Sequence, residues 1–146
     1  MLETSIASHL FHDECTKNIF LGVFARNELP SLDEIKYPSC LVLNNKNRGC
    51  TGEHWLAIYF DKKKRGYFFD SYGQSAASFK LEKYMKKHSK SLKENKVKLQ
   101  SDTSSYCGVY AVLFLLHMSN NLTLESFLRK FKTPDKNDAM IKLFFK

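Results

Sequence analysis

The sequence predicts an α+β fold with a small central mixed sheet and a buried central helix, flanked by further helices. Two observations lead to this prediction. Three short apolar runs rich in branched and aromatic residues, at 40–43, 55–60 and 67–69, are typical of buried strands. The run 106–118 is apolar on all sides, as expected of a helix that lies inside a domain.

The first half of the chain is predicted to begin with a helix. Within residues 4–15, Ile6 and Leu10 lie one helical turn apart, and Thr4 or Ser5 would cap the amino-terminal end. A short apolar stretch at 20–24 follows, and then a segment bracketed by Pro30 and Pro38. The strand 40–43 comes next, followed by a polar loop at 46–51. The basic turn 61–66 then joins the strands 55–60 and 67–69 as a hairpin.

The second half is predicted to contain three helices and a short strand. Apolar residues at helical spacing define one face of an amphipathic helix, formed by Leu81, Tyr84, Met85, His88 and Leu92. A short strand at 97–100 precedes the buried helix 106–118. The last predicted helix, 123–131, would be capped by Thr123 or Asn121 and would end before Pro134.

The formal net charge of +8 is concentrated locally, because eight lysines fall between positions 80 and 98. Two interpretations remain open: a solvated helix face, or an electrostatic surface for nucleic acid or an acidic partner. A turn at 62–65 would extend this surface if the hairpin packs nearby. In the second interpretation, the exposed lysines that would contact DNA are Lys80, Lys83, Lys86, Lys87, Lys90 and Lys93.

Composition and length exclude several classes of protein. A chain of 146 residues is expected to form one domain, 1–146, with a packed core. It has no apolar run of about 18 residues, so no membrane span is expected, and its first residues do not resemble a signal peptide. We therefore expect an intracellular protein that is not secreted, in which four cysteines without paired spacing form no disulfide framework.

Metal binding is a further possibility that the spacing does not favour. Cys50 and His54 are spaced like half of a zinc site, and His9, His12 and Cys15 would share one face of the first helix. Structural zinc usually takes two close ligand pairs, which these residues do not provide. No metal is expected.

Four polar residues in a fixed order, His54, Asp70, Gln100 and Cys107, each lie at the end of a predicted element. A thiol nucleophile needs a base, the base needs an orienting acid, and the developing oxyanion needs a hydrogen-bond donor. Cys107 is the candidate nucleophile and His54 its base. Asp70 would orient His54, while the Gln100 amide and the Cys107 backbone N–H would stabilise the oxyanion. Each residue alone has an ordinary structural explanation, but the four together favour catalysis.

The position of Cys107 supports this hypothesis. A polar loop at 102–105 precedes it, and the apolar helix follows it, so that its thiol would lie at a helix amino terminus. The unpaired N–H groups and the dipole at such a terminus favour the thiolate. Trp55 and Gly108, the neighbours of His54 and Cys107, are expected to form the wall of the site.

Several motifs together resemble a known family. They are Phe20-Leu21-Gly22-Val23-Phe24, Cys40-Leu41-Val42-Leu43-Asn44, Gly52-Glu53-His54-Trp55, Tyr67-Phe68-Phe69-Asp70-Ser71-Tyr72-Gly73, and Gln100 with Cys107-Gly108 after six intervening residues. With these motifs, residues 15–118 resemble the adenain family of adenovirus-type maturation proteases, including relatives in virophages and Polinton-type elements. The wider clan includes the SUMO-deconjugating proteases.

This resemblance implies a cysteine endopeptidase whose nucleophile lies on the buried central helix. Its substrates would be viral or transposon capsid precursor proteins, cut near small residues such as Gly, in the host cell, the virion or the virus factory. The chemistry itself would require no cofactor, but DNA, bound without sequence preference, or an activating peptide would be cofactors by resemblance. No membrane partner is implied.

The chain also departs from adenain. Asp70 stands where adenain has Glu, and no cysteine lies between positions 71 and 106, where adenain has one that can join its activating peptide. Two alternatives to the endopeptidase remain open. One is a protease that removes ubiquitin-like or SUMO modifiers with the same four residues, and the other is a non-catalytic, basic nucleic-acid-binding module.

Overall fold

Five strands and five α-helices lie within the described part of the chain, together with short 3-10 helices at Arg26–Glu28 and Ala77–Phe79. The computed structural model describes residues 3–31, 36–46 and 54–144. The strands are β1 (Phe20–Phe24), β2 (Ser39–Asn44), β3 (Trp55–Phe60), β4 (Arg65–Phe69) and β5 (Ser91–Glu94). The helices are α1 (Glu3–His12), α2 (Glu82–His88), α3 (Cys107–Ser119), α4 (Leu124–Leu128) and α5 (Pro134–Phe144).

The strands form one mixed sheet in chain order, β1-β2-β3-β4-β5. Strands β2, β3 and β4 are antiparallel, while β1 joins β2 and β5 joins β4 in parallel. The tight turn between β3 and β4 is held by Asp61, whose carboxylate accepts the backbone N–H groups of Lys63 and Arg65, each at 2.9 Å. The α+β class, the mixed sheet and the hairpin are confirmed.

Helix α3 covers one face of the sheet and packs against β3. Its apolar side chains are buried around almost the whole circumference, as the sequence predicts, with Phe114 and Leu115 fully buried. The Phe114 ring stacks on Phe69 of β4 with a centroid distance of 4.6 Å. Helices α1 and α4 also contact α3. Helix α3 is therefore packed against the sheet and against two other helices.

The opposite face of the sheet is covered by α2 and the segment before it. Alternate strand residues such as Ile58 and Phe68 turn towards this face and form a second apolar cluster with Leu81 and Met85. The intervening residues, such as Ala57, face α3. Because both faces are covered, the central strands have continuous apolar sequences instead of an alternating pattern.

One predicted helix is shorter than expected. Helix α2 ends at His88, and Leu92 lies on strand β5, where it pairs with Gly66 of β4. The hydroxyl of Ser89 donates to the Met85 carbonyl at 2.5 Å as the backbone becomes extended. Leu92 still packs against the second apolar cluster. The sequence therefore predicts correctly that Leu92 packs against the core. The prediction that it is helical is wrong, because β4 offers an edge with which this segment pairs.

The prediction of a strand at 97–100 is also wrong. The segment has no ladder partner and follows an irregular path, in which the backbone N–H groups of Leu99 and Gln100 both donate to the Ser71 carbonyl, at 2.8 and 3.1 Å. Two donors that converge on one carbonyl cannot continue a regular ladder. The segment is nevertheless tied to the end of β4.

Elements near the two ends differ in detail from the prediction. The helix expected at 4–15 ends at His12. The helix expected at 123–131 is limited to α4 and is capped by Thr123, whose hydroxyl oxygen accepts the Ser126 N–H at 3.1 Å. The apolar stretch 20–24 is strand β1, and α5 was not predicted. Most of the polar loop 46–51, including Cys50, lies outside the described residues. None of the described helices is long and apolar enough to cross a membrane.

Candidate active site

The sheet brings His54 and Asp70 to the same edge. His54 immediately precedes β3, and Asp70 immediately follows β4. Because these two strands are antiparallel, the start of one lies beside the end of the other. Cys107 is the first residue of α3, which packs on β3. Three segments that are distant in sequence therefore meet at one point.

A short hydrogen bond joins the histidine to the buried carboxylate. The distance from His54 Nε2 to Asp70 Oδ1 is 2.5 Å. Asp70 is fully buried, and its two carboxylate oxygens also accept the backbone N–H groups of Tyr72 (3.1 Å) and Gln74 (3.0 Å). A buried carboxylate with several donors is held in one orientation. The His54 ring is stacked against Tyr72, with a centroid distance of 4.9 Å.

The surroundings of His54 favour its charged form. Burial lowers the pKa of the imidazole, but the hydrogen bonds to Asp70 and Cys107 and the charges of both groups outweigh burial, and they raise the pKa to about 9. Because Nε2 bonds to Asp70, the ring nitrogen left to meet the thiol is Nδ1.

The surroundings of Cys107 favour the thiolate. Burial alone would raise the pKa of the thiol, but the His54 hydrogen bond, the backbone N–H of Trp55, the His54 charge and the backbone N–H of Gly108 together lower it. Trp55 and Gly108 thus meet the sulfur through their main chain. The half-buried Trp55 side chain packs against the apolar cluster around α3.

Gln100 lies in the same cleft, fully buried. Its Oε1 accepts the hydroxyl of Ser71 at 2.6 Å, and its Nε2 donates to the Ser104 carbonyl at 3.0 Å. An amide nitrogen has two hydrogens, so one remains for a further acceptor. The cleft has a volume of about 540 Å³ and is lined by Asn45, Lys46, His54, Tyr72, Gln100, Ser104, Ser105 and Cys107. All four candidate catalytic residues therefore converge at one site.

Two further residues stabilise this site and were not predicted from the sequence. The buried Asn95 side chain accepts the Asp70 N–H at 3.1 Å and donates to the Asp70 carbonyl at 2.6 Å. Ser71 contacts Gln100 through both its hydroxyl and its carbonyl. Asn95 follows β5 just as Asp70 follows the parallel neighbour β4, so the two lie at the same sheet edge. The position of Asn95 beside Asp70 could be recognised only from strand β5, which the sequence did not predict.

The candidate DNA-contact lysines do not all lie on one helix. Lys83, Lys86 and Lys87 belong to α2, whereas Lys80 precedes it and the other two follow it. Lys80, Lys83 and Lys86 line one shallow depression. Two of the six form surface ion pairs, Lys86 with Glu82 (2.6 Å) and Lys93 with Glu125 (3.0 Å).

Of the residues considered for metal binding, His12 and Cys15 have other partners, and Cys50 lies outside the described residues. The His12 ring bonds to the Ser8 carbonyl at 2.7 Å, and the Cys15 thiol donates to Asn120 at 3.1 Å. Within the described ranges, no group of three potential ligands is close enough to hold an ion. Among the described cysteines, Cys15, Cys40 and Cys107 form no disulfide.

An α+β domain whose thiol, imidazole and buried carboxylate meet at a sheet edge has the arrangement of a cysteine hydrolase. Comparison with known proteins gives the family. Residues 20–130 match the family model described as adenovirus endoprotease, and the chain belongs to this family.

One curated relative and one solved structure are similar to the chain over part of their length. The protease of Porcine adenovirus A serotype 3 is 27% identical over 111 residues, which cover 66% of this chain and 54% of that protein. The chain thus spans about half the length of this curated relative. A crystal structure of an ASFV protease is 20% identical, with a TM-score of 0.48, over 70% of this chain and 43% of that one.

Proposed function

We propose that the protein is a cysteine endopeptidase that cleaves viral precursor proteins. The observation that carries this proposal is the hydrogen-bonded series from Cys107 to His54 to Asp70, in which the pKa of the thiol is lowered and that of the imidazole is raised. Such a pair provides a ready nucleophile and a proton donor next to each other. The family match supports proteolysis as the reaction.

In the proposed reaction, the Cys107 thiolate attacks a peptide carbonyl carbon, and the carbonyl electron pair moves to the oxygen. The resulting oxyanion accepts hydrogen bonds from the Gln100 amide and the Cys107 backbone N–H. His54 gives its Nδ1 proton to the leaving amine, and the acyl group stays on sulfur. His54 then takes a proton from water, which releases the acid and restores the thiolate. Asp70 keeps the ring oriented throughout.

The substrates are proposed from the family. We expect precursors of virion or transposon capsid proteins, cut beside small residues such as Gly, inside the infected cell or the assembling particle. The cleft is open to an extended polypeptide and has polar walls, including Asn45 and Lys46. DNA and an activating peptide are proposed as cofactors that act outside the chemical step.

The test is incubation of the protein with capsid precursors from its own genetic element, followed by mass-spectrometric mapping of new termini. We expect discrete cuts with the parental protein and with Cys15→Ala, which removes an exposed thiol, and no cuts with Cys107→Ala. Cleavage that survives in Cys107→Ala would refute the mechanism. Intact precursors with the parental protein, in the presence of DNA and candidate activating peptides, would refute the proposed substrates.

A further inference from the structure

The orientation of the Gln100 amide is fixed by two groups on opposite sides. On one side, the Ser104 carbonyl, which can only accept, lies 3.0 Å from Nε2. On the other side, the Ser71 hydroxyl donates to Oε1 at 2.6 Å. Ser71 and Gln100 are both fully buried, so water does not replace the contact between them without a rearrangement. The amide is therefore held with its nitrogen towards Ser104, a residue that lines the same cleft as Cys107, and one of its hydrogens is left for a further acceptor.

Ser71 has a second connection to the same residue. Its carbonyl accepts the backbone N–H groups of Leu99 and Gln100, at 2.8 and 3.1 Å. Ser71 also follows Asp70 directly in the chain, at the end of β4. One residue thus links the segment that carries the orienting acid to the segment that carries the oxyanion donor, through three hydrogen bonds to two neighbouring positions.

We propose that Ser71 is a positioning residue for the oxyanion donor: its hydroxyl holds the Gln100 amide so that Nε2 faces the reacting carbonyl. Without this hydroxyl, the buried Oε1 loses its donor, and a buried acceptor without a partner drives a side chain towards other donors or water. The amide would then leave the geometry in which it stabilises an oxyanion. This inference rests on the proposed acyl chemistry at Cys107, and it does not depend on which protein is the substrate.

A small activated ester tests the inference separately from proteolysis. With p-nitrophenyl acetate, the Cys107 sulfur bonds to the acetyl carbon, the carbonyl electrons move to oxygen, and collapse of the intermediate expels p-nitrophenolate. The leaving group needs no proton, so the rate of acylation depends on the thiolate and on the oxyanion donors. Iodoacetamide is the companion probe, because its displacement of iodide by the thiolate forms no oxyanion.

The experiment is a double-mutant cycle with Ser71→Ala, Gln100→Ala and the double variant. We expect Ser71→Ala to slow acylation by about tenfold to a hundredfold, no more than removal of the donor itself. Iodoacetamide should label Cys107 at the parental rate in all variants. The double variant should match Gln100→Ala, because a residue that acts only through Gln100 has no effect once the amide is gone. Ser39→Ala, which removes another buried hydroxyl, is the matched control and should acylate normally.

Each other outcome has a defined meaning. Parental acylation in Ser71→Ala would overturn the inference, and so would an equal loss of acylation and alkylation, which indicates general disruption of the site. Additive losses in the double variant would show that Ser71 acts independently of Gln100 and would also overturn it. Normal acylation together with uncut precursors would refute the proposed substrates and leave the Ser71 result valid.

Discussion

At the scale of single residues, the reactivity of Cys107 results from a competition. Burial opposes a negative sulfur, while His54 and two backbone N–H groups favour it, and these partners prevail. Cys40 shows the opposite balance, since burial raises the pKa of its thiol. The pKa values of two buried thiols thus shift in opposite directions, because Cys107 has cationic and N–H partners whereas burial is the cause at Cys40.

This competition predicts a bell-shaped pH dependence of kcat/KM. Activity should rise as Cys107 loses its proton, at a pH below the ordinary thiol range, and should fall as His54 loses its proton near pH 9. The two limits belong to the coupled pair as a whole. Iodoacetamide at mildly acidic pH should label Cys107 faster than Cys15, Cys40 or Cys50, measured by peptide mapping.

His54→Ala is the control for this dependence. Without the imidazolium, the largest remaining influence on Cys107 is burial, so its pKa should rise and labelling at mildly acidic pH should be lost. Equal labelling rates in His54→Ala and the parental protein would mean that His54 does not ionise the thiol.

The two helper residues are predicted to differ in their effects. Gln100→Ala should lower kcat by roughly a hundredfold or more with little change in KM, because the amide acts on the transition state. Asp70→Asn should retain some activity, since it removes the charge beside His54 but leaves the nucleophile. Steady-state kinetics on a peptide substrate measures both. A parental kcat in Gln100→Ala would limit Gln100 to a structural role.

Residue types and their order were sufficient to predict the four central side chains, and the structure brings them together. The supporting residues were not predictable in the same way. Asn95 and Ser71 are ordinary polar residues in sequence. Asn95 bonds to backbone groups of Asp70, and Ser71 bonds to both the side chain and the backbone of Gln100, partners that only the folded chain places beside them. Such contacts between residues far apart in the chain leave no spacing pattern.

At the scale of elements, the connection after β5 is predicted to depend on Asn95. Asn95→Ala leaves the buried N–H and C=O groups of Asp70 without this partner, at a cost of about 1–3 kcal/mol for each unsatisfied group. We expect a lower free energy of unfolding, measured by urea denaturation. We also expect a lower kcat, because Asp70 orients the His54 ring. Asn18→Ala, at an exposed position, is the control. Unchanged stability in Asn95→Ala would contradict the prediction.

The lysines around α2 are predicted to bind duplex DNA without sequence preference. Their side chains are exposed, and Lys80, Lys83, Lys87 and Lys90 form no ion pair within the described residues. Binding should weaken with salt by roughly 0.9 log units per log unit of salt for each phosphate neutralised. Fluorescence anisotropy at several salt concentrations should show weaker binding and a smaller salt slope for the triple change Lys83→Glu, Lys87→Glu and Lys90→Glu.

A charge-matched control separates a local surface from the overall charge. The triple change Lys132→Glu, Lys136→Glu and Lys142→Glu alters net charge equally, at exposed positions on and before α5. Binding that falls equally in both triple variants would indicate a general effect of the +8 charge. Absence of binding at low salt would mean that these lysines are only a solvated surface.

The elements themselves were predictable where one signal dominated. Continuous apolar runs predicted β2, β3 and β4, and the fully apolar run predicted α3, because burial on all sides requires that composition. Leu92 misled the prediction because its position fits both the helical stripe and a strand that packs against the same cluster. The edge that β4 offers to β5 is a tertiary property, and no local propensity encodes it.

At the scale of the whole molecule, the sheet separates two surfaces. The cleft lies at the edge where β3 begins and α3 starts, with α3 on one face of the sheet. The basic helix α2 covers the opposite face with Leu81 and Met85 beneath it. Changes to exposed lysines of α2 therefore need not disturb the core around α3.

A precursor protease and a protease that removes ubiquitin-like modifiers would use the same four residues, so the choice of substrate must distinguish them. A modifier protease gains binding energy from a folded partner, over roughly 800 Å² of surface on each side for an ordinary specific interface. Two substrates with the same Gly-containing scissile sequence distinguish the classes. One presents it in an extended precursor linker, and the other presents it directly after a folded ubiquitin-like domain. We expect kcat/KM to be no higher for the second, because both substrates present the same scissile sequence to the cleft and the proposed function requires no folded partner. A much lower KM with the folded domain, abolished when that domain is unfolded, would identify the protein as a modifier-removing protease.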